Sequence, residues 1–190
     1  MWAMTPSQVK TYIDGTLNSV IQYCLPIYSN CWGVDGGAGG TYNTLCTKDD
    51  QRRIQILQNK AMRCLVKRME MTPWEELAHM GTGILVAKTG MLSVNQMTAV
   101  SILTAMHKIL YTRKPKFVAE RLKESRSRHC TVRVVRPTSH QLRLTGEGFL
   151  EKATRIWNMV PVDLRKDSNL RSFKLRAKSW VKQNCPPKPT

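Results

Sequence analysis

Two adjacent carboxylates, Asp49 and Asp50, are the first residues of the chain whose types and spacing could do chemistry. A pair of aspartates can hold two metal ions for phosphoryl transfer, but the reaction also needs a further carboxylate on a neighbouring strand. No acid stands in a strand pattern upstream of this pair. The pair follows Thr47-Lys48 at the start of a helical pattern, where aspartate is a common cap. We therefore predict a capping role and no catalytic centre.

Cysteine and histidine provide a second set of candidate groups. His129 and Cys130 are adjacent, His140 follows them, and six residues separate Cys24 from Cys31. Zinc needs four ligands at short, regular spacing, and no C-x-x-C occurs. Adjacent side chains rarely face each other, and no acid is placed to orient the histidine, so Cys-His catalysis is disfavoured. We expect no metal, and the six scattered cysteines fit free thiols of an intracellular chain.

A glycine-rich stretch could in principle bind phosphate. Five glycines lie between Gly33 and Gly40, but no lysine follows them in the G-x-x-x-x-G-K-[ST] arrangement. The chain has no G-x-G-x-x-G either. We interpret the stretch as a flexible loop and expect no cofactor.

Positive charge is the strongest compositional signal. The chain has a net charge of +17 at 190 residues, with 42% hydrophobic residues, as expected of a folded protein. Residues 1–50 contain two basic and four acidic residues, and the remainder contains twenty-eight and nine. Such an excess favours a polyanionic partner, nucleic acid more than an anionic membrane. Without a long apolar run or a signal-peptide layout, we expect no membrane association and a location in the nucleus or cytoplasm.

Two clusters of cations are the candidate nucleic-acid-binding residues. One lies on a predicted helix that begins near residue 49, and the other is a basic loop at 125–145 that contains five arginines and no acid between 126 and 143. Such side chains contact phosphates without sequence preference. A solvated helix face and a basic loop without a fixed partner are the alternatives. The candidate residues are Arg52, Arg53, Lys60, Arg63, Lys67, Arg68, Arg126, Arg128, Arg133, Arg136 and Arg143.

Hydrophobic periodicity predicts a mainly α fold, an irregular bundle of about six or seven short helices with a basic loop or a small hairpin near 131–135. Thr5 and Pro6 open the first helix, and we expect Pro26 to end or kink it. Its predicted apolar face consists of Val9, Tyr12, Ile13, Leu17, Val20, Ile21 and Cys24. The predicted segments are an N-terminal amphipathic helix at 1–32, the glycine-rich loop at 33–48, a basic helical region at 49–185 and a disordered tail at 186–190.

Capping signals subdivide the basic region. Thr72 with Glu75, and Ser93 with Gln96, have the spacing of capping boxes, and 81–90 is predicted to be a loop. The last two helices are expected at about 148–159 and 168–183, the second capped by Ser168. The apolar face of the helix after residue 49 is predicted to be Ile54, Leu57, Ala61, Leu65 and Met69. The aromatic residues Phe149, Trp157 and Phe173 are predicted to be core residues rather than base-stacking platforms.

Five stretches of the chain carry a family resemblance. Residues 149–165 read FLEKATRIWNMVPVDLR and 170–174 read LRSFK, while 19–28, 57–65 and 72–77 read SVIQYCLPIY, LQNKAMRCL and TPWEEL. Taken in chain order, these stretches resemble the thumb and C-terminal tail of non-LTR (LINE-type) retrotransposon reverse transcriptases. There the tail has the form F-x-x-R-A-x-x-x-W-N-x-L-P-x-x-[IL]-R followed by L-x-x-F-K. The basic segment at 126–143 stands where that family has a basic loop.

The resemblance implies a function without catalysis, because the palm domain and its metal-binding aspartates are absent from these residues. It implies a fragment that grips RNA or an RNA–DNA duplex through backbone contacts. An alternative is a domesticated interaction or scaffold protein that docks to an acidic protein or a ribonucleoprotein. Residues 5–28, which would pack on the palm in a whole polymerase, would then be the docking surface. A third hypothesis is an enzyme that borrows the palm of another subunit.

Overall fold

The computed structural model describes residues 4–28, 48–124, 132–134 and 149–185. The described part of the chain is mainly helical, which confirms the predicted fold class. The glycine-rich stretch before Lys48, the tail at 186–190 and most of the predicted basic loop lie outside these ranges.

The N-terminal helix is continuous but not uniform. It consists of α1 (Pro6–Ile13), a π-helical segment (Asp14–Asn18) and α2 (Ser19–Tyr28). Thr5 caps α1 in a capping box with Gln8, which confirms the predicted start. Pro26 does not end the helix, because it lies in the last turn of α2, where it removes one backbone donor and leaves the earlier hydrogen bonds in place.

The next three helices are α3 (Lys48–Glu70), α4 (Trp74–Ala78) and α5 (Thr82–Thr89). Asp49 and Asp50 lie inside the first turn of α3, where a negative charge suits the helix dipole, so the prediction that they are caps was wrong. The prediction of a loop at 81–90 was also wrong. Gly81 and Gly90 only bound α5, and Gly90 ends it with a left-handed φ of 65°.

The capping box predicted at Thr72 does not form. Pro73 occupies the cap position of α4, which has no side-chain cap, because the helix begins at Trp74 and the spacing to Glu75 is too short. The Thr72 hydroxyl donates to Glu70 Oε2 at 3.4 Å instead.

The second half of the chain surrounds α6 (Val94–Thr112), which opens with the predicted Ser93–Gln96 capping box. After α7 (Lys116–Ala119), β1 (Leu122–Glu124) pairs antiparallel with β2 (Val132–Val134), in agreement with the predicted small hairpin. Then follow α8 (Phe149–Met159), α9 (Val162–Arg165) and α10 (Leu170–Asn184). Asn169 caps α10, accepting from the amides of Arg171 and Ser172, so Ser168 lies one residue too early for its predicted role.

The largest hydrophobic cluster joins α6, α8 and α10 with the strand pair. Trp157 and Phe173 are buried with ring centroids 5.6 Å apart, and His107 stacks on Phe173 at 4.4 Å. The Nε2 of His107 donates to the Asp167 carbonyl at 2.7 Å, since a carbonyl can only accept. The prediction that Trp157 and Phe173 are core residues is confirmed, and Phe149 packs against the same cluster.

A smaller cluster joins α1, α3, α4 and α5, and Ile13 of α1 packs there against Met62 and Leu65. Ile21 of α2 joins Val94 and Met97 in a third cluster. The N-terminal helix is therefore packed on both halves of the described fold.

The inward face of α3 differs from the predicted one. Leu57 and Met69 are 54% and 46% exposed, whereas Gln55, Gln58 and Asn59 are buried. The prediction placed the apolar residues of α3 on its buried face. In the structure, the amide side chains occupy positions where α3 meets other elements, and there they hydrogen-bond to backbone and side-chain groups of those elements. Buried amides are stable only when such partners exist.

These amides form one hydrogen-bond network. Gln58 Nε2 donates to Asn18 Oδ1 at 3.1 Å and to the Leu92 carbonyl at 2.9 Å. Gln55 Nε2 donates to Gln58 Oε1 at 2.8 Å, and Gln55 Oε1 accepts from the Val94 amide at 2.9 Å. The network ties the π-helical segment and the start of α6 to α3.

Candidate nucleic-acid interface

Three of the six predicted cations on α3 face solvent. Arg52, Arg53 and Lys60 are exposed, and none of them forms an ion pair with another described residue. We refer to these three residues as the α3 basic face. Because no acid among the described residues forms an ion pair with them, their charges are available to a polyanion.

The other three predicted cations of α3 bind the protein itself. Arg63 donates from Nε to the Leu77 carbonyl at 2.8 Å and from Nη2 to the Met80 carbonyl at 3.1 Å. Lys67 Nζ lies 4.4 Å from the ring centroid of Trp74. Arg68 Nε donates to the backbone carbonyl of Met4 at 3.1 Å. The predicted flank of Arg52, Lys60, Arg63 and Lys67 is therefore divided between a solvent-facing part and a part that holds α4.

The arginines of the predicted basic loop are largely beyond the described ranges. Arg126, Arg128, Arg136 and Arg143 lie outside them. Arg133 lies in β2, with its Cα paired to that of Lys123 in β1.

A groove of about 690 Å³ between the N-terminal helix, α6 and α10 is the basic site that the sequence reasoning missed. Asp14 is the one acid among its described lining residues, and several of its polar side chains, including Asn18, Ser101 and Thr104, can donate or accept hydrogen bonds. Its five lysines are Lys10, Lys108, Lys174, Lys178 and Lys182. We call it the lysine groove.

Helical spacing explains how α10 supplies three of these lysines. Lys174, Lys178 and Lys182 are four residues apart and therefore stack along one side of the helix. The neighbouring stripe of Phe173, Ala177 and Val181 is buried against α6 and α8. The K-x-x-x-K-x-x-x-K spacing was visible in the sequence, but the helices that face it come from distant parts of the chain.

Two of the groove lysines are held at the C-terminal end of α5. Lys10 Nζ donates to the Thr89 carbonyl and Lys182 Nζ to the Gly90 carbonyl, both at 3.0 Å. Carbonyls at this end of a helix lack intrahelical partners and carry partial negative charge, which attracts ammonium groups. These two lysines therefore join α1 and α10 to α5.

The other three lysines, Lys108, Lys174 and Lys178, have no such anchor. They are exposed and form no ion pair within the described ranges. Asp14 Oδ1 accepts a hydrogen bond from Asn18 Nδ2 at 2.7 Å on the π-helical segment. The groove thus combines a fixed scaffold with three uncompensated ammonium groups.

The described residues contain no group of three metal-ligating side chains, and no described helix is long and apolar enough to cross a membrane. Within the same ranges, Cys64 and Cys185 form no disulfide. The candidate ligands Cys31, His129, Cys130 and His140 lie outside the described residues. Cys24 belongs to α2.

No family model, no curated protein and no solved structure matches the chain.

Proposed function

We propose that the chain is a non-catalytic nucleic-acid-binding domain that grips RNA or an RNA–DNA duplex through backbone contacts. The observation that carries this proposal is the α3 basic face, where Arg52, Arg53 and Lys60 are exposed without acidic partners among the described residues. Cations presented along a rigid helix contact phosphates regardless of base sequence. The net charge of +17 extends the attraction beyond this face.

The resemblance to the thumb and C-terminal region of a non-LTR retrotransposon reverse transcriptase belongs to the same proposal. Residues that carry it make structural contacts, two of them at buried positions. Gln58 lies at the centre of the amide network, and Trp157 lies in the largest core cluster. Asn158 makes two hydrogen bonds to the first residue of β2. Its side chain donates to the Val132 carbonyl at 2.9 Å and accepts from the Val132 amide at 3.2 Å. These contacts support the proposal that the chain shares a helical framework with that family, because a residue with fixed structural partners tolerates few replacements.

The test is fluorescence anisotropy with duplex RNA, an RNA–DNA hybrid and single-stranded RNA, at about 50 and 200 mM salt. We expect saturable binding that prefers a duplex and weakens steeply with salt. The triple variant Arg52→Glu, Arg53→Glu, Lys60→Glu should lower the log–log salt slope by roughly 0.9 for each phosphate that the variant no longer neutralises. A wild-type chain that binds no duplex at physiological salt would overturn the proposal.

A matched control separates the α3 basic face from net charge. The variant Lys116→Glu, Arg155→Glu, Lys166→Glu changes the charge equally at exposed positions on other elements. It should retain most of the duplex affinity. Equal reductions of affinity in the two triple variants would assign the binding to diffuse charge and not to α3.

The alternative of an interaction or scaffold protein rests on a different observation. Tyr12, Val20 and Tyr23 are 61%, 70% and 84% exposed on the N-terminal helix, although the first two were predicted to face the core. They lie beside Ile13 and Ile21, which take the buried positions. Exposed tyrosines are typical of protein interfaces, and the partner would be an acidic protein or a ribonucleoprotein. Binding to such a partner that is insensitive to salt and is abolished by Tyr12→Ser, Tyr23→Ser would favour this function.

A further inference from the structure

The lysine groove has the composition of a phosphate-binding site. Five lysines and one aspartate line it, and Lys108, Lys174 and Lys178 form no ion pair with any described residue. Ammonium groups that converge on one concave surface repel one another, and an anion between them relieves that repulsion. A ligand with several negative charges is therefore the expected occupant.

The shape of the groove favours a single strand. Its volume of about 690 Å³ is that of a cleft between three helices. That is the volume of a small-ligand pocket, which a single strand fits better than a duplex does. Lys174 and Lys182 are eight residues apart, or about 12 Å along the helix axis. A stacked strand presents roughly three to four phosphates over that length, at about 3.4 Å each.

The lining favours contacts to the backbone and not to the bases. No aromatic side chain is among the described lining residues, so no platform for base stacking is present there. Ser101 and Gln22 can donate hydrogen bonds to sugar or phosphate oxygens, whereas the Thr104 hydroxyl already donates to the Val100 carbonyl at 2.7 Å. Asp14 lies at the π-helical segment, and its carboxylate would repel phosphate from that side of the groove.

We propose that the lysine groove is a second nucleic-acid-binding site, which seats the sugar–phosphate backbone of one unpaired RNA or DNA strand without sequence preference. This inference rests on the proposed nucleic-acid-binding function and adds to it a separate surface for single strands. In this proposal the α3 basic face binds a duplex, and the lysine groove binds a single strand.

The experiment compares two sets of charge reversals in the full chain. The groove variant is Lys174→Glu, Lys178→Glu, and the α3 variant is Arg52→Glu, Arg53→Glu, Lys60→Glu. Both change exposed side chains without described ion-pair partners, and a thermal melt verifies that each variant is folded. The probes are an unstructured RNA of about ten nucleotides, duplex RNA and inorganic polyphosphate.

We expect the groove variant to bind the single strand more weakly by on the order of tenfold, with a salt slope lower by roughly 1.4, because two lysines no longer neutralise phosphates. Its duplex affinity should change less than about twofold. The α3 variant should show the opposite pattern. Asp14→Asn should raise single-strand affinity, because it removes the one carboxylate that faces the bound phosphates among the described lining residues.

Three outcomes would overturn the inference. If the groove variant binds the single strand as the wild type does, while the wild type binds duplex, the groove inference fails and the proposed function stands. If the wild type binds no nucleic acid, both fail. If polyphosphate displaces the single strand at equal phosphate concentration, the groove takes any polyanion and its assignment to a nucleic-acid strand fails.

Discussion

The predicted cations of α3 and the lysines of the groove are each divided between side chains that hold the fold and side chains that face solvent, but the structural contacts differ in kind. On α3, Arg63, Lys67 and Arg68 are bound to other parts of the protein, so half of the predicted binding cations hold the fold. In the groove, Lys10 and Lys182 donate single ammonium hydrogen bonds to backbone carbonyls at the end of α5. Its other three lysines, Lys108, Lys174 and Lys178, form no ion pair within the described ranges. Charge density along a helix therefore does not identify the cations that are available to a ligand.

The difference has a physical cause in the elements that pack beside each helix. Three residues separate the end of α3 from the start of the short α4, and the Leu77 and Met80 carbonyls at and just beyond the C-terminal end of α4 point to α3. The planar guanidinium of Arg63 supplies two donors at once, which one ammonium group on a flexible stem does less well. The lysines of α10 are beside the buried stripe of that helix and meet other helices across an open groove.

The largest effect is expected where α3 is anchored. Gln58→Leu should destabilise the protein by about 2–3 kcal/mol, because the buried Asn18 oxygen and the Leu92 carbonyl lose a donor. Gln183→Leu, at an exposed position on α10, should change stability by less than about 0.5 kcal/mol. Urea denaturation measures both. Equal midpoints for the two variants would contradict a structural role for the network.

A smaller destabilisation should separate structural from solvent-facing cations on α3. Arg63→Ala should cost about 1.5–3 kcal/mol, the usual range for hydrogen bonds to a charged group. Arg52→Ala on the same helix should stay within about 0.5 kcal/mol of the wild type. Chemical denaturation of the two variants measures both changes in stability. An Arg63 variant as stable as the Arg52 variant would contradict the division of the α3 cations into structural and solvent-facing groups.

The contact between Lys67 and Trp74 should contribute less. At an exposed ring, a cation–π pair contributes about 0.5–1 kcal/mol. A double-mutant cycle of Lys67→Met with Trp74→Leu should give a coupling energy of that size. The same cycle with Lys60→Met should give none, because Lys60 lies about two helical turns away from Lys67. Coupling in both cycles would indicate a general effect of charge on α4.

The smallest effect concerns the one cation of α10 that has an acidic partner within the described ranges. Arg176 Nη1 lies 3.4 Å from Asp167 Oδ2. The hydrogen bond from the Ser172 hydroxyl, at 2.6 Å, is the main cause that lowers the pKa of Asp167, followed by the Asn169 amide and Arg176. This stabilisation is present above the unfolded pKa of about 3.9 and is lost as pH falls through the lower folded pKa.

Asp167→Asn should therefore lower the melting temperature slightly at neutral pH, and the difference from wild type should vanish in acid. Lys174→Gln, on the same helix as Arg176 but without a described acidic partner, should show no such pH dependence. Thermal melts between about pH 2 and 7 measure this, and a constant offset for Asp167→Asn would contradict the assignment.

Local patterns in the sequence predicted the features that local physics determines. The capping box at Ser93, the length of α6 and the burial of Trp157 followed from spacing and hydrophobicity. The helix α5 was missed because three glycines in ten residues are a loop signal, whereas in the structure Gly81 and Gly90 bound the helix and Gly83 lies within its first turn. Gln58 was missed because polarity does not distinguish a surface amide from a buried one with partners.

The groove could not be derived from local patterns at all. Lys10, Lys108 and Lys178 belong to three helices that are far apart in sequence, and only their packing brings them to one cleft. The predicted α3 cations were located correctly on a helix. Their division into two groups depended on where α4 and the N-terminus pack, which is long-range information.

The central position of α6 has a consequence for the motions of the protein. This helix contacts α2, α3, α7, α8 and α10, so its backbone amides become accessible only when most of the structure opens. We expect them to exchange their hydrogens for deuterium more slowly than those of α1 and α4. Because α6 carries Ser101, Thr104 and Lys108, we expect the backbone of one wall of the groove to exchange slowly as well. A strand bound in the groove would restrict the motion of lysine side chains, whereas we expect the α6 backbone at its wall to be rigid already.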